Sequence, residues 1–380
     1  MTAALQKARV ARAARAFLFG ENKQGGPSRP SAPLFSIDGH EWLEYSGSEE
    51  GKFVQVAKVF LLSVEEESLE DNSWSRGAYT RLKESAEMGK SDHRLVEDPA
   101  EADIILFAQQ QLGRLFLSVR RHPLVKQYRE KCFVFDSDDL IIPFLPGVYA
   151  SIEKSWYSPT RVRSGFYISI TSNPFLDNDP EAPAPDLLFC FQGAVNTSPV
   201  RTALSKLKHP RSLFLDTSRE SLPILTNGSA DERAAFFKRF AETNRRSKFV
   251  LCPRGMGSSS TRLFETMCQG RVPVIVADEW VPPEGPRWED FSIRVAERDI
   301  PGVPRMLEQR EEEALEMGKK ARLEWVQWFS PEAVFPTVVN WCLEMKNARR
   351  IPETIARLPC FLQLARPYFF RQYVRTLLGR

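Results

Sequence analysis

Short, nearly continuous apolar runs alternate with longer stretches of helical periodicity along most of this chain. The runs lie at Lys58–Val64, Ala102–Ala108, Cys132–Asp136, Phe166–Ile170, Leu187–Phe191, Ser212–Leu215, Phe249–Cys252, Val272–Ala277 and Phe291–Val295. Apolar character on both faces over a few residues marks strands buried in a parallel sheet. Between them, Asp231–Arg245 sets Phe236, Phe237 and Phe240 on one helical face. Ser259–Gln269 reads as a helix that stops at Gly270, and Pro304–Trp325 is dominated by helix formers. Strand–helix alternation of this kind predicts an α/β protein built on parallel sheets.

Polar punctuation divides the pattern. Residues 20–35 are rich in Gly, Pro and Ser and read as a loop or linker. Residues 172–186 hold four prolines and four acids near the middle of the strand series, which predicts the junction between two halves. The expected organisation is a basic N-terminal segment and linker (1–50), a first Rossmann-like α/β domain (51–185), a second (186–335) and a basic helical tail (336–380), with the two sheets facing each other across a cleft. In the tail, Ile351, Ile355, Leu358 and Leu362 recur at helical spacing, and Pro352, Pro359 and Pro367 cut it into short helices. That pattern suits either packing on the body or lying on a membrane surface.

Composition narrows the class. With 380 residues and 42% hydrophobic content the chain has material for a sizeable core. The net charge of +3 is unevenly spread: residues 1–19 carry four bases and no acid, and residues 346–380 carry eight bases against Glu353 alone. A slightly acidic body with basic ends differs from the charged folded face of a nucleic-acid binder. It allows peripheral contact with an anionic membrane. No apolar run reaches the length of a membrane span and no signal-peptide core follows the basic N-terminus, so a cytoplasmic location, peripheral to a membrane, is expected. The six cysteines form no C-x-x-C pair and read as buried free thiols, not as zinc ligands or a disulfide framework.

The chemistry concentrates in Lys248–Asp299. A strand ending FVLC leads into the turn PRGMGSSS and the helix TRLFETMCQG. Backbone N–H groups at a helix N-terminus suit an anion. Gly255 and Gly257 let the backbone approach a ligand closely, and Ser259 and Ser260 add donors. Arg254 and Arg262 can clamp phosphate oxygens, and Glu265, one turn beyond Arg262, can accept from two neighbouring hydroxyls of a ribose. Arginines for a diphosphate and a glutamate for its ribose form a recognition set for a nucleotide sugar. A capped helix with a surface Arg262–Glu265 pair is the plainer alternative. The segment is neither a P-loop, since its lysine is missing, nor a dinucleotide fingerprint, since the third glycine is missing.

The segment CPRGMGSSSTRLFETMCQGRVPVIVADEWVPP, followed by Trp288-Glu289-Asp290-Phe291 and Val295-Ala296-Glu297-Arg298-Asp299-Ile300, resembles the exostosin-like glycosyltransferases, with their C-P-x-G turn, S-x-R-L-F-E/D helix start and W-x-x-P. Phe191-Gln192-Gly193 with Arg201 is a weaker echo of the same family. The resemblance implies a GT-B architecture with the nucleotide sugar, most commonly a UDP-sugar, bound by the C-terminal domain. It also implies inverting transfer to a glycan hydroxyl with no essential metal or other cofactor. Arg201, Arg254 and Arg262 would then hold the diphosphate, and Glu265 the ribose. Inversion needs a base, and Asp136, Asp138 and Asp139, directly after the Cys132–Phe135 run, are the candidates. A polar loop capping the next element is the alternative for these three, and a divalent-metal site is another. A non-catalytic exostosin-like domain that binds glycan or stabilises a partner is the alternative for the whole chain. His122 is a further candidate base.

Overall fold

Eleven strands among the described residues fall into two sheets, and every pairing within them is parallel. The first holds β1 (Lys58–Leu62), β2 (Arg94–Leu95), β3 (Ile104–Gln109), β4 (Cys132–Asp136), β5 (Gly147–Tyr149) and β6 (Val162–Ser164), in the order β2-β1-β3-β4-β5-β6. The second holds β7 (Leu187–Gly193), β8 (Ser212–Asp216), β9 (Ser247–Pro253), β10 (Val272–Val276) and β11 (Ile293–Arg294), in the order β11-β10-β9-β7-β8. These are the two parallel α/β sheets that the alternation predicts. The computed structural model describes residues 56–64, 77–89, 91–109, 117–139, 141–168, 173–177, 183–362, 365–367, 369–371 and 374. The expected N-terminal segment 1–50 and its linker lie outside them.

The central strands are fully buried, as continuous apolar runs require: β4 and β10 have no accessible residue along their length. Three expected elements differ. The described part of the run Phe166–Ile170, residues 166–168, forms no strand; the last paired strand residue is Ser164, and Phe166 turns into the core. There its ring meets Phe135, Phe264, Phe329 and Trp341, with centroids 5.1–6.1 Å apart. The single helix expected over Pro304–Trp325 is two, Val303–Gln309 and Ala314–Trp328. Between them Glu311 bonds Arg211 at 2.6 and 2.7 Å and Lys248 at 2.7 Å, and those two cations hold its carboxyl down at about 2. The run Phe291–Val295 begins as a helical turn, Trp288–Phe291, and pairs only at Ile293–Arg294. Elsewhere, Ser229 and Glu232 form a reciprocal capping box that starts the helix Ala230–Arg245.

The two sheets share one hydrophobic core, in which Phe135 and Val148 of the first join Cys190, Val250 and Ile275 of the second. The helix Val334–Ala348 returns to the first sheet's side. Phe335 N–H donates to Ser85 at 3.0 Å, Asn340 bonds His93 at 3.0 Å, and Lys346 reaches the Asp103 carbonyl at 2.8 Å. The tail therefore begins beyond this helix, not at residue 336. All six cysteines are free and buried.

Candidate functional site

The second sheet has a topological switch point between β7 and β9, where successive strands lie on opposite sides, and ligands of open α/β sheets collect at the carboxyl end of such a point. Here β7 ends at Gln192-Gly193, and β9 ends at Pro253 with Arg254 directly after it. Arg262, in the first turn of the helix Thr261–Cys268, reaches back across that gap. Its Nε donates to the Gln192 carbonyl at 3.0 Å, Nη2 bonds the same oxygen, and Nη1 reaches Ser260 Oγ at 3.4 Å. Gly193 is required for this: a Cβ there would lie 2.3 Å from Arg262 Nη2. Arg201, on the helix Pro199–Leu204 capped by Ser198, donates Nε to the Arg254 carbonyl and Nη1 to the Ala194 carbonyl, both at 3.1 Å.

Both guanidiniums lie over the Phe191 ring, Arg262 at 4.6 Å and Arg201 at 5.9 Å from its centroid. Burial and the neighbouring Arg262 hold Arg201 below the usual guanidinium range, and burial does the same to Arg262. Neither makes an ion pair among the described residues, so buried Arg262 and half-buried Arg201 form a concentration of positive charge whose partners are neutral oxygens. Half-buried Glu265 has no hydrogen bond to its carboxyl among the described residues. Desolvation, opposed by Arg262, lifts it to about 7.

Other predicted residues are engaged differently. Arg254 forms a bidentate ion pair with Glu297, at 2.6 and 3.2 Å, so it enters the site already neutralised. Glu297 in turn accepts from Asp278 N–H at 3.3 Å. Gly255 lies beside the Arg201 guanidinium. Gly257 presses on the first sheet's rim: a Cβ there would fall 2.3 Å from the Asp139 carbonyl and 2.1 Å from Ser151 Oγ. That serine accepts from the N–H groups of Ser258, at 2.7 Å, and Ser259, at 3.4 Å. Ser259 Oγ and Trp280 Nε1 have no hydrogen-bond partner among the described residues, and both residues line one small cavity behind the turn.

The three aspartates separate. Asp136 is fully buried; its Oδ1 accepts from Asp138 N–H at 3.1 Å, its Oδ2 has no hydrogen-bond partner among the described residues, and desolvation with the Asp138 charge raises its carboxyl well above the usual range. Asp138 is buried beside it. Asp139 alone is half-exposed, and the Tyr167 hydroxyl donates to its Oδ1 at 2.6 Å. Asp139 and Tyr167 lie near enough to Arg201 to influence its charge. His122 is a structural cap, its Nδ1 accepting from Leu124 N–H at 3.3 Å. Among the described residues no group of three or more His, Cys, Asp or Glu side chains is placed to hold a metal ion. Ser151 and Tyr167 belong to no motif, and Glu297 lies in the Val295–Ile300 stretch of the family resemblance without an assigned role; each enters through a contact with a residue 28 to 107 positions away.

Residues 149–310 match the family model of the Exostosin GT47 domain. Over 63 residues the chain is 43% identical to an exostosin-1 homolog of Caenorhabditis elegans, covering 16% of each chain. Over 65 residues it is 48% identical to the probable glucuronoxylan glucuronosyltransferase IRX7 of Arabidopsis thaliana, covering 17% of this chain and 14% of that protein. The chain thus spans less than a fifth of the length of these curated relatives. Among solved structures, a glycosyltransferase from Rickettsia africae aligns with a TM-score of 0.37 and 12% identity, over 78% of this chain and 100% of that one.

Proposed function

We propose, from the match of residues 149–310 to the Exostosin GT47 family model, that this protein is an inverting glycosyltransferase, moving a sugar from a nucleoside-diphosphate donor, a UDP-sugar, to a hydroxyl of a glycan. The observation that carries the reading is the pair of buried Arg262 and half-buried Arg201, bonded only to carbonyl and hydroxyl oxygens. Two desolvated cations without carboxylate partners are costly alone and favourable around an anion. A diphosphate at the β7/β9 switch point supplies that anion, and Glu265 lies on the same helix to take the ribose hydroxyls.

In this reading the acceptor oxygen attacks the anomeric carbon as the bond from that carbon to the diphosphate breaks. The diphosphate departs with the electron pair, and the arginines stabilise the charge it gains. The acceptor proton passes to Asp139, the accessible member of the acidic cluster, whose other oxygen is held by Tyr167. Asp136 has no such access, and its raised pKa suits a structural role. The arginines take the part that a metal plays in other transferases, so no metal is required.

A second reading has its own support. Ser151 already occupies the Ser258 and Ser259 amides, and Glu297 already holds Arg254. That occupancy favours a non-catalytic exostosin-like domain that binds glycan or stabilises a partner. Calorimetric titration with UDP, GDP and their sugar conjugates, with and without EDTA, separates the two. The transferase reading expects one diphosphate to bind regardless of EDTA and to lose affinity in Arg262→Met. Absence of binding by all of them, in a folded protein, moves the assignment to the partner domain.

A further inference from the structure

The tail beyond Ala348 both packs and leaves a face uncovered. Its inner side is anchored to the first half. Arg161 binds Glu353 through Nε at 3.1 and 3.2 Å and Nη2 at 2.6 Å, in an ion pair almost closed to solvent. Cys360 Sγ bonds the Pro143 carbonyl at 3.2 Å, the Phe361 ring meets Phe144 at 5.2 Å, and Arg120 lies over both rings. Phe369 is buried.

The outer side is different. Ile351, Ile355, Leu358, Phe361, Leu362 and Phe370 are exposed, Leu362 at 76%. They are six of the fourteen large exposed hydrophobics among the described residues, gathered within twenty positions. A concentration of that kind on an otherwise ordinary surface calls for a partner. The charge around it has one sign. Glu353, the only acid in residues 346–380, is consumed by Arg161, so the exposed charges among the described residues of the tail are Arg350, Arg366 and Arg371, of which Arg366 alone approaches a described carboxylate of the body, Glu153, at 3.5 Å.

We propose that this face docks on an anionic lipid surface. A bilayer interface takes apolar side chains into the acyl boundary and pairs arginines with headgroup charges at the same depth. An anionic polymer would satisfy the arginines and leave the leucines wet. A second copy of the chain meeting the same patch about a two-fold axis would bring arginine against arginine.

Co-flotation of the full chain with vesicles tests this, using phosphatidylcholine alone and phosphatidylcholine with about 30% phosphatidylserine. The protein should float only with the anionic vesicles. Leu358→Ser/Leu362→Ser should lower partitioning about tenfold or more, with an unchanged unfolding midpoint because both side chains are exposed. Arg350→Gln/Arg371→Gln, which alters no described contact with the body, should weaken it about tenfold and reduce its salt dependence. Wild-type protein that stays behind with anionic vesicles overturns the proposal, as does a leucine variant that floats like wild type. A solution dimer that dissociates in the leucine variant also overturns it, since the patch is then a self-interface.

Discussion

The two sheets share strand order and direction over their first five strands, yet their carboxyl rims carry opposite charge. The second sheet's rim gathers Arg201 and Arg262 with no carboxylate in ion-pair contact among the described residues. The first sheet's rim gathers Asp136, Asp138 and Asp139, two of them buried. Gly257 and Ser151 bring the rims into contact. Opposing a pair of cations to a cluster of acids polarises the gap, and the proposed transfer would use that separation for its anionic leaving group and its proton acceptor. Each rim is unfavourable alone, and the shared core around Phe166 holds them together.

The sharpest way to break this comparison is Asp139→Asn. It should lower turnover on the order of a hundredfold to ten-thousandfold, with donor affinity unchanged in a binding titration. Equal loss in Asp136→Asn would instead mean that the acidic rim acts through structure. On the other rim, Arg262→Met should weaken diphosphate binding about a hundredfold. Because it removes a buried unpaired charge, the thermal midpoint should hold or rise; a steep fall would make Arg262 a structural strut.

Contact between the rims is tested by Gly257→Ala. Its methyl has no room against the Asp139 carbonyl, so a loss of about 1–3 kcal/mol in denaturant unfolding is expected. An unchanged midpoint would mean that the rims separate freely.

The smallest effect is a pH dependence from Glu265, whose folded value of about 7 lies above that of an unfolded glutamate. The folded state therefore keeps a proton that the unfolded chain releases. Its contribution to stability is complete below the unfolded value and is lost as pH rises toward and through 7. Glu265→Gln should remove that slope. If the ionised carboxylate accepts from the ribose, donor affinity should gain several-fold across pH 6 to 8 in wild type beyond any gain in the glutamine variant.

Much of the scaffold was legible because burial on both faces writes itself as a continuous apolar run. The strands at 132–136, 187–193, 247–253 and 272–276 were readable for that reason, and so was the turn into the helix Thr261–Cys268. Elements held by distant partners were not. The three-residue strands β5 and β6 are too short to show a period, and the break at Glu311 depends on Arg211 and Lys248. In the tail, helical spacing suited both packing and a membrane face, and the fold assigns packing to one side while leaving the other open.

Local pattern thus determined the α/β class, the parallel sheets and the stretch where an anion site would form. Tertiary structure decided which polar groups remain available. Nothing near Arg254 in sequence announces that Glu297 neutralises it, or that Ser151 fills the amides of Ser258 and Ser259. Periodicity records whether a side chain faces water or core. Whether a buried charge is paired depends on partners that only the closed fold brings within hydrogen-bond reach.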